Sequence, residues 1–328
     1  MPPFPEARFI ETNGIRMAVH ERGEGLPVVL CQGWPELAYS WRHQLPALAE
    51  AGYRVIAPDM RGYGRTERPE AIGDYDIHHL TGDMAGLLDA LGIERAVFCG
   101  HDWGGIVTWA MPLLQPERVL GVIGVNTPFM PRPPIEPLGF MRQAFGEEMY
   151  MVVFQQPGRA EAILEADVEK SLRFLFRKVR LPAELLDSTE GRKQTLAWIG
   201  ALAALEGMPE GELVMDEAAL AVYREAFAAT GFTGGLNWYR NLTSNWESTE
   251  GLEQRIDAPC LMIAAADDFV LRPSMTDGME RYIPDLEKHV IEDCGHWTQM
   301  EQPETLNKLM LDWLGRRFGG GGQGGCGG

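Results

Sequence analysis

The sequence predicts an α/β protein whose mostly parallel, doubly wound sheet is interrupted by a helical insert. Two observations predict it. Short continuous apolar runs alternate with helix-like stretches through the first 125 residues, as strands covered on both faces and joined by helices would read. That rhythm stops at the proline-rich Met130-Pro131-Arg132-Pro133-Pro134 and resumes only at Pro259-Cys260-Leu261-Met262-Ile263-Ala264-Ala265.

Taken in chain order, residues 8–22 read as an opening hairpin with Thr12-Asn13-Gly14 as its turn signal. Pro27-Val28-Val29-Leu30-Cys31 and Tyr53-Arg54-Val55-Ile56-Ala57 read as buried strands, with a helix over 41–51 between them. A further helix closes on Leu87-Leu88-Asp89-Ala90-Leu91, with Gly92 at its end. Arg95-Ala96-Val97-Phe98-Cys99 and residues 119–125 are the next strands, and Lys288-His289-Val290-Ile291 is the last. Residues 304–318 carry Leu306, Leu309, Met310, Trp313 and Leu314 on one helix face. The expected organisation is a core of residues 1–133 and 248–318 around a helical cap of residues 134–247. The glycine-rich 319–328 has no side chains to bury and is expected to be disordered.

Composition narrows the function. At 328 residues, with 45% hydrophobic and 23% charged residues, the chain can bury a large core. A formal net charge of −18 supplies none of the basic footprint that nucleic acid or anionic lipid requires. The N-terminal Met1-Pro2-Pro3-Phe4-Pro5-Glu6 has no basic region leading into an apolar one, and no apolar run reaches the length of a membrane span. Cys31, Cys99, Cys260, Cys294 and Cys326 are scattered, without zinc or redox spacing. The expectation is a cytoplasmic protein with reduced thiols, no metal and no cofactor, acting on a small molecule; a homodimer is left open.

The chemistry centres on Gly100-His101-Asp102-Trp103-Gly104-Gly105, which lies between a strand and a helix. A glycine-flanked residue at such a junction is the context of a nucleophile elbow, although aspartate stands where a serine is usual. The plainer alternative is an ordinary strand-to-helix turn with a solvated aspartate at the helix start. A nucleophile of this kind needs a histidine and an orienting acid, in the chain order nucleophile, acid, histidine. His101 shares the tight turn with Asp102 and reads as structural, and His20, His43, His78, His79 and His289 carry no motif. His296, in Asp293-Cys294-Gly295-His296-Trp297 between the last strand and the last helix, sits where the sheet's C-terminal edge would bring it beside the elbow. The acid falls to Asp267 or Asp268 after the 259–265 strand, because the loop after Val125 offers only Asn126. A carboxylate attacks without losing a proton, so Asp102 suits ester formation at an electrophilic carbon, leaving His296 to activate water against the ester.

These segments together resemble the epoxide hydrolases of the α/β-hydrolase fold, especially the catalytic domain of the soluble type, over essentially residues 8–317. The resemblance rests on Gly33-Trp34-Pro35-Glu36, Ser40-Trp41-Arg42, Asp59-Met60-Arg61-Gly62-Tyr63-Gly64, the elbow, Asn126-Thr127-Pro128-Phe129, Leu236-Asn237-Trp238-Tyr239-Arg240-Asn241, Asp268-Phe269-Val270-Leu271 and Cys294-Gly295-His296-Trp297-Thr298-Gln299, all in family order. It implies an α/β-hydrolase core with an inserted cap. It also implies Asp102 as nucleophile, His296 as base, Asp268 as orienting acid, and backbone N–H groups of Trp34 and Trp103 as oxyanion hole. Tyr150 and Tyr239 would hydrogen-bond and protonate the epoxide oxygen, a very basic leaving group that a phenol of pKa about 10 can serve. A cis peptide is implied before Pro35. Trp34, Trp103, Phe129, Val270, Leu271 and Trp297 would line an apolar pocket for aryl- or alkyl-substituted epoxides, which would leave as vicinal diols.

Gln32 departs from the family pattern, which has His before Gly-x-Pro. Gln donates and accepts, so activity is expected to survive. Two other functions compete. A haloalkane dehalogenase would share Asp102, Trp103 and His296, but needs neither tyrosine and usually has Asn where Trp34 stands. A non-catalytic binding protein would have no need of a base that activates water.

Overall fold

In a computed structural model that describes residues 3–319, eight strands form one sheet in the order β1-β2-β4-β3-β5-β6-β7-β8. They are β1 (Arg8–Thr12), β2 (Ile15–Arg22), β3 (Leu26–Cys31), β4 (Tyr53–Pro58), β5 (Ala96–His101), β6 (Val119–Val125), β7 (Cys260–Ala265) and β8 (Leu286–Ile291). From β4 to β8 every neighbouring pair is parallel; only β2 runs against its neighbours β1 and β4. The β1–β2 turn uses Asn13 and Gly14, both at positive φ, the backbone that a two-residue hairpin needs to match the strand twist.

The central strands read as unbroken apolar runs because both sheet faces are covered. Val28, Leu30, Val97, Cys99, Ile123 and Ile263 pack against Leu45 and Leu48 of helix Gln44–Glu50 and against Leu306, Met310, Trp313 and Leu314 of helix Pro303–Phe318. Val29, Cys31, Phe98, Val122 and Met262 face the other way, onto Leu80, Met84 and Leu87 of helix Ile77–Ala90 and Val107 and Met111 of helix Trp103–Leu114. The helix expected over 41–51 is shorter: a 3₁₀ turn, Ala38–Trp41, precedes an α-helix that starts at Gln44.

Between β6 and β7 run ten α-helices among the described residues, from Pro137–Phe145 to Leu242–Ser248. Their apolar residues, including Phe154, Leu172, Tyr223 and Leu236, join the cluster that covers the second sheet face. The insert therefore packs on the core over the strands' C-terminal ends, where the loops after β3, β5, β7 and β8 converge. The glycine tail expected to be disordered, and Cys326 within it, lie outside the described residues from position 320 onward. The four described cysteines are all buried and unpaired. Among the described residues no helix is long and apolar enough to cross a membrane.

Candidate active site

Asp102 follows β5 and caps helix Trp103–Leu114 at φ 50° and ψ −123°, a conformation L-residues rarely adopt. The flanking glycines make it feasible. A Cβ on Gly100 would stand 2.2 Å from the Gly104 carbonyl oxygen, and one on Gly104 would stand 2.1 Å from that of Cys31. Thr127 Oγ1 donates to the Asp102 carbonyl at 2.8 Å and fixes the turn from the loop after β6. The side chain projects between the strand ends, with Oδ1 accepting from the Trp34 N–H at 2.8 Å. Burial pushes the Asp102 pKa up, while the neighbouring imidazoles of His296 and His101 and the Trp34 and Trp103 amides pull against it. The Trp34–Pro35 peptide is cis.

His296 stands on the loop after β8, with Nδ1 2.9 Å from Asp268 Oδ2 and Nε2 3.8 Å from Asp102 Oδ2. The wider gap leaves space at Nε2 that a direct hydrogen bond would close. Asp268 is itself over-determined: Oδ1 accepts from the Val270 and Leu271 amides at 2.9 Å each, and Oδ2 accepts from Asn126 Nδ2 at 2.8 Å. Burial pushes the Asp268 carboxyl up, but the His296 charge and these hydrogen bonds outweigh it and hold it at about 2. Burial likewise pulls His296 down, and the Asp268 charge and hydrogen bond, with the Asp102 charge, lift it to about 9. Of the two candidate acids, Asp268 is the one that meets His296; Asp267 forms an ion pair with the exposed Arg180.

A cavity of about 350 Å³ opens from Asp102 toward the insert. Trp34, Tyr150, Tyr239, Val270, His296 and Trp297 line it, with Leu181, Leu185 and Trp198 from the insert opposite. Tyr150 begins helix Tyr150–Val153, Tyr239 lies in helix Thr233–Arg240, and their ring centroids are 6.0 Å apart. Gln155 donates to the Tyr239 carbonyl at 2.9 Å, and the half-buried Arg240–Glu161 pair ties that helix to Arg159–Leu164. Burial first, then the Asp102 charge, raises both phenols far above their ordinary range, so both stay protonated hydrogen-bond donors.

Three residues expected in this pocket lie elsewhere. The Trp103 and Phe129 side chains line a second, more apolar cavity of about 620 Å³ beside the proline-rich hinge. Leu271 does not line the first cavity; its side chain is buried and its amide serves Asp268. Apolarity marks these residues for burial without saying which cavity they face. Gln32 is buried beneath the Trp34 loop, its amide donating to the Pro58 carbonyl at 2.9 Å and accepting from the Met60 N–H at 3.1 Å.

Other contributors stand in the quoted motifs without a role read from them. Glu36 is fully buried, accepts from the Gly33 amide at 2.7 Å and from Gln299 Nε2, and faces His101 Nδ1 at 3.2 Å. His101 Nε2 in turn meets the His296 carbonyl at 2.7 Å, so a buried polar chain runs under the site from the loop after β3 to the loop after β8. Asn126, set aside as an acid, instead supports Asp268.

Residues 27–303 match the family model for the alpha/beta hydrolase fold. The chain is 44% identical to Epoxide hydrolase A of Mycobacterium tuberculosis, over 94% of this chain and 97% of that one. It is 43% identical to mouse Bifunctional epoxide hydrolase 2 over 92% of its own length, spanning 54% of the mouse protein. Among solved structures, Epoxide Hydrolase A from Mycobacterium thermoresistibile superposes with a TM-score of 0.85 at 41% identity, covering 94% of this chain and 98% of that one.

Proposed function

Because the chain belongs to the epoxide hydrolases of the α/β-hydrolase fold, we propose that it converts aryl- or alkyl-substituted epoxides to vicinal diols through a covalent ester on Asp102. The carrying observation is the division of labour on one carboxylate: Oδ1 rests on the Trp34 amide, while Oδ2 faces His296 with the cavity and its two tyrosines beyond. In the resting site the charges of Asp268 and Asp102 favour a proton on His296, and both phenols carry theirs.

In the first step Oδ2 attacks an epoxide carbon, the C–O bond breaks, and its electron pair goes to the ring oxygen. That oxygen takes a proton from Tyr150 or Tyr239. The imidazolium proton restores the phenol, which leaves His296 neutral at the moment the ester needs a base. Esterification also removes the Asp102 charge that helped hold the proton on His296.

In the second step His296 takes a proton from water, and the hydroxide adds to the ester carbonyl carbon. The resulting oxyanion sits at the Trp34 and Trp103 amides until the diol leaves. The acid proton of the regenerated Asp102 goes to the product alkoxide, and the resting protonation state returns.

The lining of tryptophan, leucine and valine favours apolar substituents of modest size. Diol formation from a panel of aryl and alkyl epoxides, with bromoalkanes alongside, tests the reading. Diol without halide release is expected; halide release without diol would assign the site to dehalogenation.

A further inference from the structure

Glu301 ends the short helix Thr298–Glu301 that follows His296, and its side chain folds back along the chain. Oε2 accepts from the Gly295 N–H at 3.1 Å and Oε1 from the Trp297 N–H at 3.0 Å. One carboxylate thus holds the N–H groups of the two residues on either side of His296. We propose that Glu301 is a positioning residue that aims the His296 ring at the ester; this rests on the reading of His296 as the base.

The geometry explains why one residue can do this. Asp268 fixes the ring about one nitrogen, but the direction of the Cα–Cβ bond depends on the peptide planes on either side. The loop carrying His296 lies outside regular secondary structure, so no ladder fixes those planes. Its carbonyls are held by His101, which meets the His296 oxygen at 2.7 Å, and by Asn126 and Thr298, each 3.3 Å from the Gly295 oxygen. Glu301 holds the Trp297 N–H of the plane that follows His296 and, through the Gly295 N–H, the plane one residue before the preceding one. The chemistry asks for two acceptors and no donor, which a carboxylate supplies and an amide does not. Glu301 also lines the catalytic cavity and has no Lys or Arg partner within ion-pair distance among the described residues, so its two oxygens are free for the backbone. Glu301→Gln keeps the shape but turns an NH₂ group toward one of the two amides.

The test separates the two chemical steps by rapid mixing of enzyme with an excess of aryl epoxide, following ester by quenched intact-protein mass spectrometry. Burst amplitude counts folded sites, and the two rates are read on those sites alone. In Glu301→Gln, alkylation should stay within about twofold of wild type, because Asp102 attacks unaided. Ester hydrolysis should slow about 10- to 100-fold, the cost of a misplaced base, so ester accumulates. If that variant gives no burst, Glu301→Asp, one methylene short of both amides, is read in its place with the same expectation. Equal slowing of both steps, or wild-type hydrolysis, overturns the role. His296→Gln is run in parallel: if it too hydrolyses ester at the wild-type rate, the base assignment itself has failed. If it traps ester while Glu301→Gln does not, only the Glu301 role falls.

Discussion

Asp268 Oδ2 lies 2.9 Å from His296 Nδ1, and four groups hold that buried carboxylate where it is: the imidazole, two backbone amides and the Asn126 side chain. The pairing sets both the tautomer of His296 and its affinity for a proton. Asp268→Asn should therefore leave alkylation of Asp102 near the wild-type rate and slow ester hydrolysis about a hundredfold or more. Single-turnover kinetics would show it, and unchanged hydrolysis would remove Asp268 from the mechanism.

The two steps should differ in their pH response. The free site holds His296 at about 9 partly through the Asp102 charge, so loss of that charge in the ester moves the pKa down. Hydrolysis, which needs neutral imidazole, should rise with pH and level off around a midpoint below 9. Alkylation, which uses a protonated His296 without penalty, should lack that rising limb. A hydrolysis midpoint above that of the free enzyme would contradict the sign of this coupling.

The two phenols share one task. Tyr150→Phe or Tyr239→Phe alone should slow ring opening about tenfold, since the remaining hydroxyl still reaches the oxygen. The double variant should nearly abolish it. Alkylation rates from pre-steady-state fluorescence or mass spectrometry would decide; a double variant alkylating at the wild-type rate would exclude the tyrosines.

Gln32 occupies a position where the family has histidine, and its amide bridges the Pro58 carbonyl and the Met60 N–H. Gln32→His should keep both contacts and hold kcat/KM within a few-fold. Gln32→Leu leaves both buried backbone groups without a partner and should cost about 1–3 kcal/mol for each, read as a lower Tm. Equal melting temperatures for the leucine variant and wild type would mean the bridge contributes nothing.

What the sequence reveals and what it hides have a common physical basis. Strands such as β5 and β7 are legible because burial on both faces leaves only apolar residues, and the elbow is legible because its glycines answer a local steric demand. Asp102 and His296 announce themselves through flanking glycines and their order in the chain. The roles of Glu36, Asn126, Gln299 and Glu301 do not, although the first three stand in the motifs that carry the resemblance, because each role depends on partners far along the chain; topology brings Glu36 to Gln299, 263 positions apart. The same limit explains Phe129 and Trp103, whose apolar character fits either cavity.

The origin of the diol's new oxygen tests the central claim most directly. If Asp102 is the nucleophile, one of its carboxylate oxygens becomes the product hydroxyl, and the attack of water on the ester carbon then puts a solvent oxygen into the restored carboxylate. A single turnover in oxygen-18 water, with enzyme in excess, should give largely unlabelled diol and a labelled peptide containing Asp102. Labelled diol with an unlabelled peptide would contradict the covalent account and make Asp102 a stabiliser of charge beside a water that attacks the epoxide directly.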